Sequence, residues 1–160
     1  AINGIDYRTL GLDTVRHESA LLMAPEWFQV SILENIRMGS PAIEAEQIQE
    51  SLTRVGLDRV IQDLPMGVQS TLTVTGSPLD YEQLCRLTLA RAIAAQPRLL
   101  MVGPLIDTIP DRILSLILDA LLDPKTPWSL VLVTANPRVH AIAQGRATMI
   151  RLEPESTREG

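Results

Sequence analysis

The chain has 160 residues, a formal net charge of −5, 46% hydrophobic and 21% charged residues; this is an ordinary mixture for one globular domain, and it argues against wholesale disorder and nucleic-acid binding. The single cysteine, Cys85, excludes an internal disulfide framework and a multi-cysteine metal cluster, and one lysine, Lys125, against thirteen arginines excludes a phosphate-binding GxxxxGK[ST] loop. No run of eighteen apolar residues and no signal peptide is seen in the sequence, which starts at Ala1 rather than Met, so the chain reads as soluble and cytosolic, a piece of something longer.

In chain order, Ile2-Asn3-Gly4-Ile5-Asp6 reads as a hairpin turn whose first strand needs a partner. Four short runs, 20–23, 99–102, 130–134 and 148–152, are continuously apolar rather than alternating, which is how strands of a parallel sheet covered on both faces read. Between them, 43–55 predicts an amphipathic helix with Ile43, Ile48, Leu52 and Val55 as its stripe. Residues 79–96 predict a longer helix, with Leu84, Leu87, Ala90, Arg91 and Ala94 at helical spacing and a stop before Pro97. Residues 113–122 are apolar nearly all round, so a helix buried on more than one side is expected. Strands alternating with helices give an α/β sheet with right-handed crossovers, interrupted over 31–64 by an inserted helical lobe. The polar residues 153–160 read as a frayed tail.

The stretch from Gly76 through Leu79-Asp80-Tyr81-Glu82-Gln83 to Ala90-Arg91-Ala92 resembles the signature region of ABC transporter ATPase domains, which reads LSGGQ and then an ALARA-like helix. Ser31-Ile32-Leu33-Glu34-Asn35-Ile36 is similar to the SIxENI segment of exporter-type members, and Asn3-Gly4-Ile5-Asp6 to their DGxD hairpin. Residues 97–102 fall where the Walker B strand belongs, and 130–134 where the strand before the switch histidine belongs. The resemblance implies an α/β fold: a partial P-loop NTPase (RecA-like) sheet with a helical subdomain at about 31–96, within a C-terminal portion of the ATPase domain spanning 1–152. It also implies partners, namely the transmembrane domain of a transporter and a second ABC ATPase domain in a homo- or heterodimer, with a place at the cytoplasmic face of the membrane.

The departures from the family pattern carry the chemistry. The Walker A part lies before this sequence, and the Walker B aspartate and glutamate fall at Gly103 and Pro104, neither of which ligates a hard cation or accepts a proton. The D-loop aspartate falls at Pro110, the switch histidine at Ala135, and the metal-sensing glutamine at Met23 or Ala24. In the signature loop, Asp80, Tyr81 and Glu82 stand where a hydroxyl and two glycines let backbone N–H groups approach phosphate. Asp80 with Gln83 three residues on makes a capping-box pair, so the helix satisfies its own donors, while two carboxylates repel a triphosphate and Tyr81 blocks approach.

Other candidates keep two readings. Asp80 and Glu82 are an acid–base pair or helix-start caps; Cys85 is a nucleophile served by His17 or His140, or a small buried hydrophobe. Neither histidine has a second ligand at helical spacing, so both read as surface residues, and no metal is expected. Trp27, Phe28 and Gln29 fall where the resemblance places the docking surface of the membrane domain; the other reading of the aromatic pair is core packing. Arg86 and Arg91 read as pairing with acids or snorkelling rather than binding phosphate, and Trp128 as packing. The resulting expectation is a degenerate, non-hydrolysing segment serving dimerisation and coupling, with no cofactor in this chain. The alternatives are an ATP-binding component completed by an upstream or partner Walker A loop, with Mg-ATP bound by the full-length parent, and a protein-interaction module on an ABC scaffold.

Overall fold

The computed structural model describes residues 18–38, 40 and 42–150, so the Asn3-Gly4 turn, His17 and the tail lie outside the described residues. Three strands, β1 (Ser19–Leu22), β2 (Leu99–Val102) and β3 (Ser129–Leu132), form one parallel sheet in that order. Ser19, Leu99 and Ser129 align at one end; Leu22, Val102 and Leu132 align at the other. Four helices lie between β1 and β2: α1 (Ile32–Arg37), α2 (Ala45–Arg54), α3 (Asp58–Gln62) and α4 (Tyr81–Ala95). Helix α5 (Asp111–Leu121) connects β2 to β3, and α6 (Pro137–Ala143) follows β3.

Local sequence sets the helix ends. Ser31 caps α1 with Glu34 reaching back to its N–H, and Asp80 caps α4 with Gln83 doing the same. Each such pair satisfies two N–H groups that a helix start leaves without partners, and the cap side chain contributes about 1 kcal/mol. Helix α4 stops at Gln96, which turns left-handed at φ +48° just before Pro97.

The expected stripe of 43–55 holds: Ile43, Ile48, Leu52 and Val55 are all buried. They pack with Leu84, Leu87 and Leu100 in one core under the sheet, where each fully buried leucine contributes roughly 1.5–3 kcal/mol. Three expectations need correction. Residues 148–150 form no strand, which leaves three strands among the described residues. Helix α5 is one-sided rather than buried all round: Leu114, Ile117 and Leu118 face the core, while Leu116 is 45% exposed.

The third correction concerns the sheet itself. Ala20, Leu22, Leu100, Val102, Leu130 and Leu132 pack on the core, but the alternate residues do not. Leu21 and Val131 are 60% and 46% exposed in register with half-buried Met101, so this face is open among the described residues. The cause is connectivity. Both crossovers step in the same direction across the sheet, and right-handed connections therefore place their helices on the same side.

Candidate functional site

The residues aligned with the catalytic set gather at the C-terminal ends of the strands. Met23 follows β1, Gly103 follows β2, and the Gly103 N–H donates to the Leu22 carbonyl at 2.8 Å. A Cβ on Gly103 would lie 2.7 Å from the Met23 sulfur, so these two positions adjoin. A thioether and a bare α-carbon offer no hard oxygen to a divalent cation. Pro104 opens a 3₁₀ turn, Pro104–Thr108, and Pro110 caps α5. A carboxylate does reach this region, from Asp107. One of its oxygens accepts from the Thr134 hydroxyl and the other from the Ala135 N–H at 3.1 Å. Among the described residues, no group of three or more His, Cys, Asp and Glu is placed to hold a metal ion.

At the start of α4, Leu79 is buried, Asp80 is exposed and accepts from the Gln83 N–H at 2.8 Å, and Tyr81 is 59% exposed. Just before it, Gly76 adopts φ +87° and lies against Leu84, whose Cδ1 would sit 2.3 Å from any added Cβ. Glu82 corrects the expectation of two outward carboxylates. Its Oε2 accepts from Arg86 Nη2 at 2.9 Å, and its Oε1 lies 2.8 Å from Arg86 Nε as an ion pair without hydrogen-bond alignment. The Arg86 side chain, 3% exposed, also donates to the Gly56 carbonyl at 2.8 Å, while Arg112 stands 3.8 Å from Glu82. A single guanidinium thus joins the start of α4 to the chain leaving α2, and Glu82 is neither a free acid nor a free base.

Cys85 is fully buried on α4, and His140 is exposed on α6. Burial pushes the Cys85 thiol up, and the charges of Glu82 and Asp80 push it the same way, a setting opposite to that of an activated nucleophile. Because folding raises this pKa, the stabilisation is complete below the unfolded value of about 8.5 and is lost as pH rises through the folded value. A thiol reagent at pH 8 is expected to label the native chain at least a hundredfold more slowly than the urea-unfolded chain, an order-of-magnitude expectation for a group reached only by opening. Equal labelling rates would place Cys85 at the surface.

The aromatic pair divides. Trp27 packs partly against the core and donates its indole N–H to the Thr73 carbonyl at 3.2 Å, whereas Phe28 is 44% exposed. With Pro25, Glu26, Gln29 and Val74 they line an open groove of about 560 Å³. Asn35, fully buried on α1, holds this segment: its amide donates to the carbonyls of Phe28 at 3.0 Å, Val30 at 3.3 Å and Ser31 at 3.0 Å. Its Oδ1 accepts from the Phe28 N–H at 2.8 Å. Arg91 adds bonds to the carbonyls of Asn35 and Glu26, both at 2.8 Å, and places its guanidinium 5.5 Å from the Phe28 ring centre. Burial pulls the Arg91 pKa down, opposed by the Glu26 charge. Sequence reasoning assigned Asn35 no role. The signal was there, as an amide lying between Ile32 and Ile36 on an apolar face.

No family model matches the chain. It is similar to the fatty acid ABC transporter ATP-binding/permease protein of Mycobacterium bovis, 26% identical over 112 residues, covering 69% of this chain and 18% of that protein. It is 36% identical over 104 residues to the Mycobacterium bovis multidrug efflux ATP-binding/permease protein, covering 63% of this chain and 8% of that one. A third relative is the mitochondrial potassium channel ATP-binding subunit of Xenopus tropicalis, 29% identical over 123 residues, with 74% of this chain and 18% of that protein covered. The chain therefore spans less than a fifth of the length of these relatives. A bacterial Atm1-family ABC exporter solved with ATP bound superposes with a TM-score of 0.79 at 16% identity, over 87% of this chain and 24% of that one. The chain is thus similar in sequence to a segment of ABC transporter ATP-binding/permease proteins, and in fold to part of an ABC exporter.

Proposed function

We propose that this segment serves a transporter by docking and dimerisation and does not hydrolyse ATP. The observation that carries the reading is the strand-end cluster of Met23, Gly103 and Ala135, where no side chain ligates magnesium or accepts a proton from water. Mg-ATP does not fit this end of the sheet. The carboxylate that reaches it, Asp107, is already held on both oxygens. The exposed Phe28 and Val74 over a segment fixed by Asn35 and Arg91 favour docking of a transmembrane partner in that groove, at the cytoplasmic face of a membrane. No helix among the described residues is long and apolar enough to cross a membrane.

One observation favours a second reading. The open sheet face through Leu21, Met101 and Val131 is the kind that parallel sheets cover with helices. A nucleotide-binding unit supplied upstream or by a partner would cover it and complete a composite site. Calorimetric titration with Mg-ATP, of this chain and of the full-length parent, separates the two. Neither protein taking up heat at millimolar nucleotide is the expected result; binding by the parent alone would move the composite site to the lead. Binding by this chain would overturn the reading of Asp80–Glu82 as closed to nucleotide, and turnover abolished by substitutions at Gly103 and Pro104 would end the non-hydrolysing reading.

A further inference from the structure

We propose that Asp107 is an intramolecular latch that fixes the loop after β3 without any ligand. The 3₁₀ turn that carries Asp107 is anchored on the core by Leu105, 2% exposed, and Ile106, fully buried, and is closed by the Thr108 hydroxyl on the Leu105 carbonyl at 2.7 Å. From this fixed base the carboxylate spans to a segment 27 and 28 residues away in sequence. One oxygen takes the Thr134 hydroxyl proton, and the other takes the Ala135 N–H at 3.1 Å. The Thr134 oxygen in turn accepts from the Asn136 N–H at 3.0 Å, and the Asn136 side chain accepts from the Arg138 N–H at 2.9 Å to open α6. The carboxylate therefore partners the Ala135 amide directly and, through the Thr134 hydroxyl, the Asn136 amide; the Asn136 side chain separately caps Arg138. Bonds to an ionised acceptor are about twice as strong as neutral ones, and linked bonds polarise one another.

The consequence concerns the two loops that flank the strand ends. In an open α/β sheet the loops at these ends are where a bound ligand sits and imposes order. Here the chain supplies that order itself, so the spacing between the β2 turn and the β3 loop stays the same whether or not nucleotide is present. This deepens the non-hydrolysing reading above but stands on a separate readout.

Amide hydrogen exchange on the whole chain tests it. Asp107→Ala is expected to speed exchange at Ala135 and Asn136 by roughly 10–100-fold while leaving Leu87 in α4 unchanged, as local opening does. Asp107→Asn keeps an acceptor for Thr134 but loses the second oxygen, so Ala135 alone is released. Thr134→Val releases Asn136 by removing its acceptor. Mg-ATP leaves the wild-type rates as they are. Equal rates at both amides in wild type and Asp107→Ala would overturn the latch, as would a uniform rise that includes Leu87, or slowing by Mg-ATP in the wild type. Heat uptake in the titration with unchanged Ala135 exchange would defeat the non-binding reading and leave the latch standing. No heat uptake together with equal rates would do the reverse.

Discussion

Asn35→Ala is expected to lower stability by about 3 kcal/mol, read as a shift of the urea midpoint at constant slope. The side chain is fully buried; its two amide hydrogens are shared among the carbonyls of Phe28, Val30 and Ser31, and its oxygen accepts from the Phe28 N–H. Deleting it leaves the N–H and carbonyl of Phe28 without their partner in a low-dielectric setting, where each unsatisfied group costs about 1–3 kcal/mol and relaxation recovers part. Asn35→Asp separates the terms: it keeps the acceptor for the Phe28 N–H but sets a carboxylate against three carbonyl oxygens, so it is expected to be at least as damaging. The same substitutions loosen the segment under the groove, and Trp27 fluorescence reports this before global unfolding. A loss below about 1 kcal/mol, within the range of an ordinary surface change, would mean that the groove is held by packing alone.

Arg86→Met is the second large effect, expected at about 3–4 kcal/mol. Removing one member of a buried ion pair leaves the other charge uncompensated, at a cost of about 3–5 kcal/mol. Glu82 retains 18% exposure and Arg112 at 3.8 Å, which places the loss in the lower part of that range. The carbonyl of Gly56 loses its 2.8 Å donor as well. Adding Glu82→Leu to Arg86→Met is expected to restore more than about 1 kcal/mol, because the lone carboxylate rather than the missing packing dominates the damage. Strictly additive losses in this double-mutant cycle would show that the two residues do not act as a pair.

The α/β alternation, the stripe on α2, the cap of α4 and the halt before Pro97 were legible because each rests on local spacing or local hydrogen bonding. The two-sided burial expected for the sheet and for α5 was not. A continuous apolar run is the same string whether a second layer covers it or not, and the direction of the crossovers, which leaves Leu21 and Val131 exposed, appears only with the strand order. Position within the family pattern is why Gly103, Pro104 and Ala135 were expected at the degenerate site, but it does not say what reaches them. The approach of Met23 to Gly103 and of Asp107 to Ala135 spans tens of residues of chain. Glu82 was misjudged for a similar reason: its sign was legible, but its direction depends on Arg86, one turn further along the helix, being turned inward by the Gly56 carbonyl.

The strand order has one more consequence. Doubly wound sheets place their ligands in a crevice that opens where the order reverses and neighbouring connections leave toward opposite faces. The order β1-β2-β3 is monotonic, so no such switch point falls between these strands. The crossovers lie on one side of the sheet, and the loops after β2 and β3 close on one another through Asp107 and Thr134 instead of parting. A crevice of that kind can form here only along an outer edge, beside β1 or β3, where an added strand of opposite winding would meet the sheet.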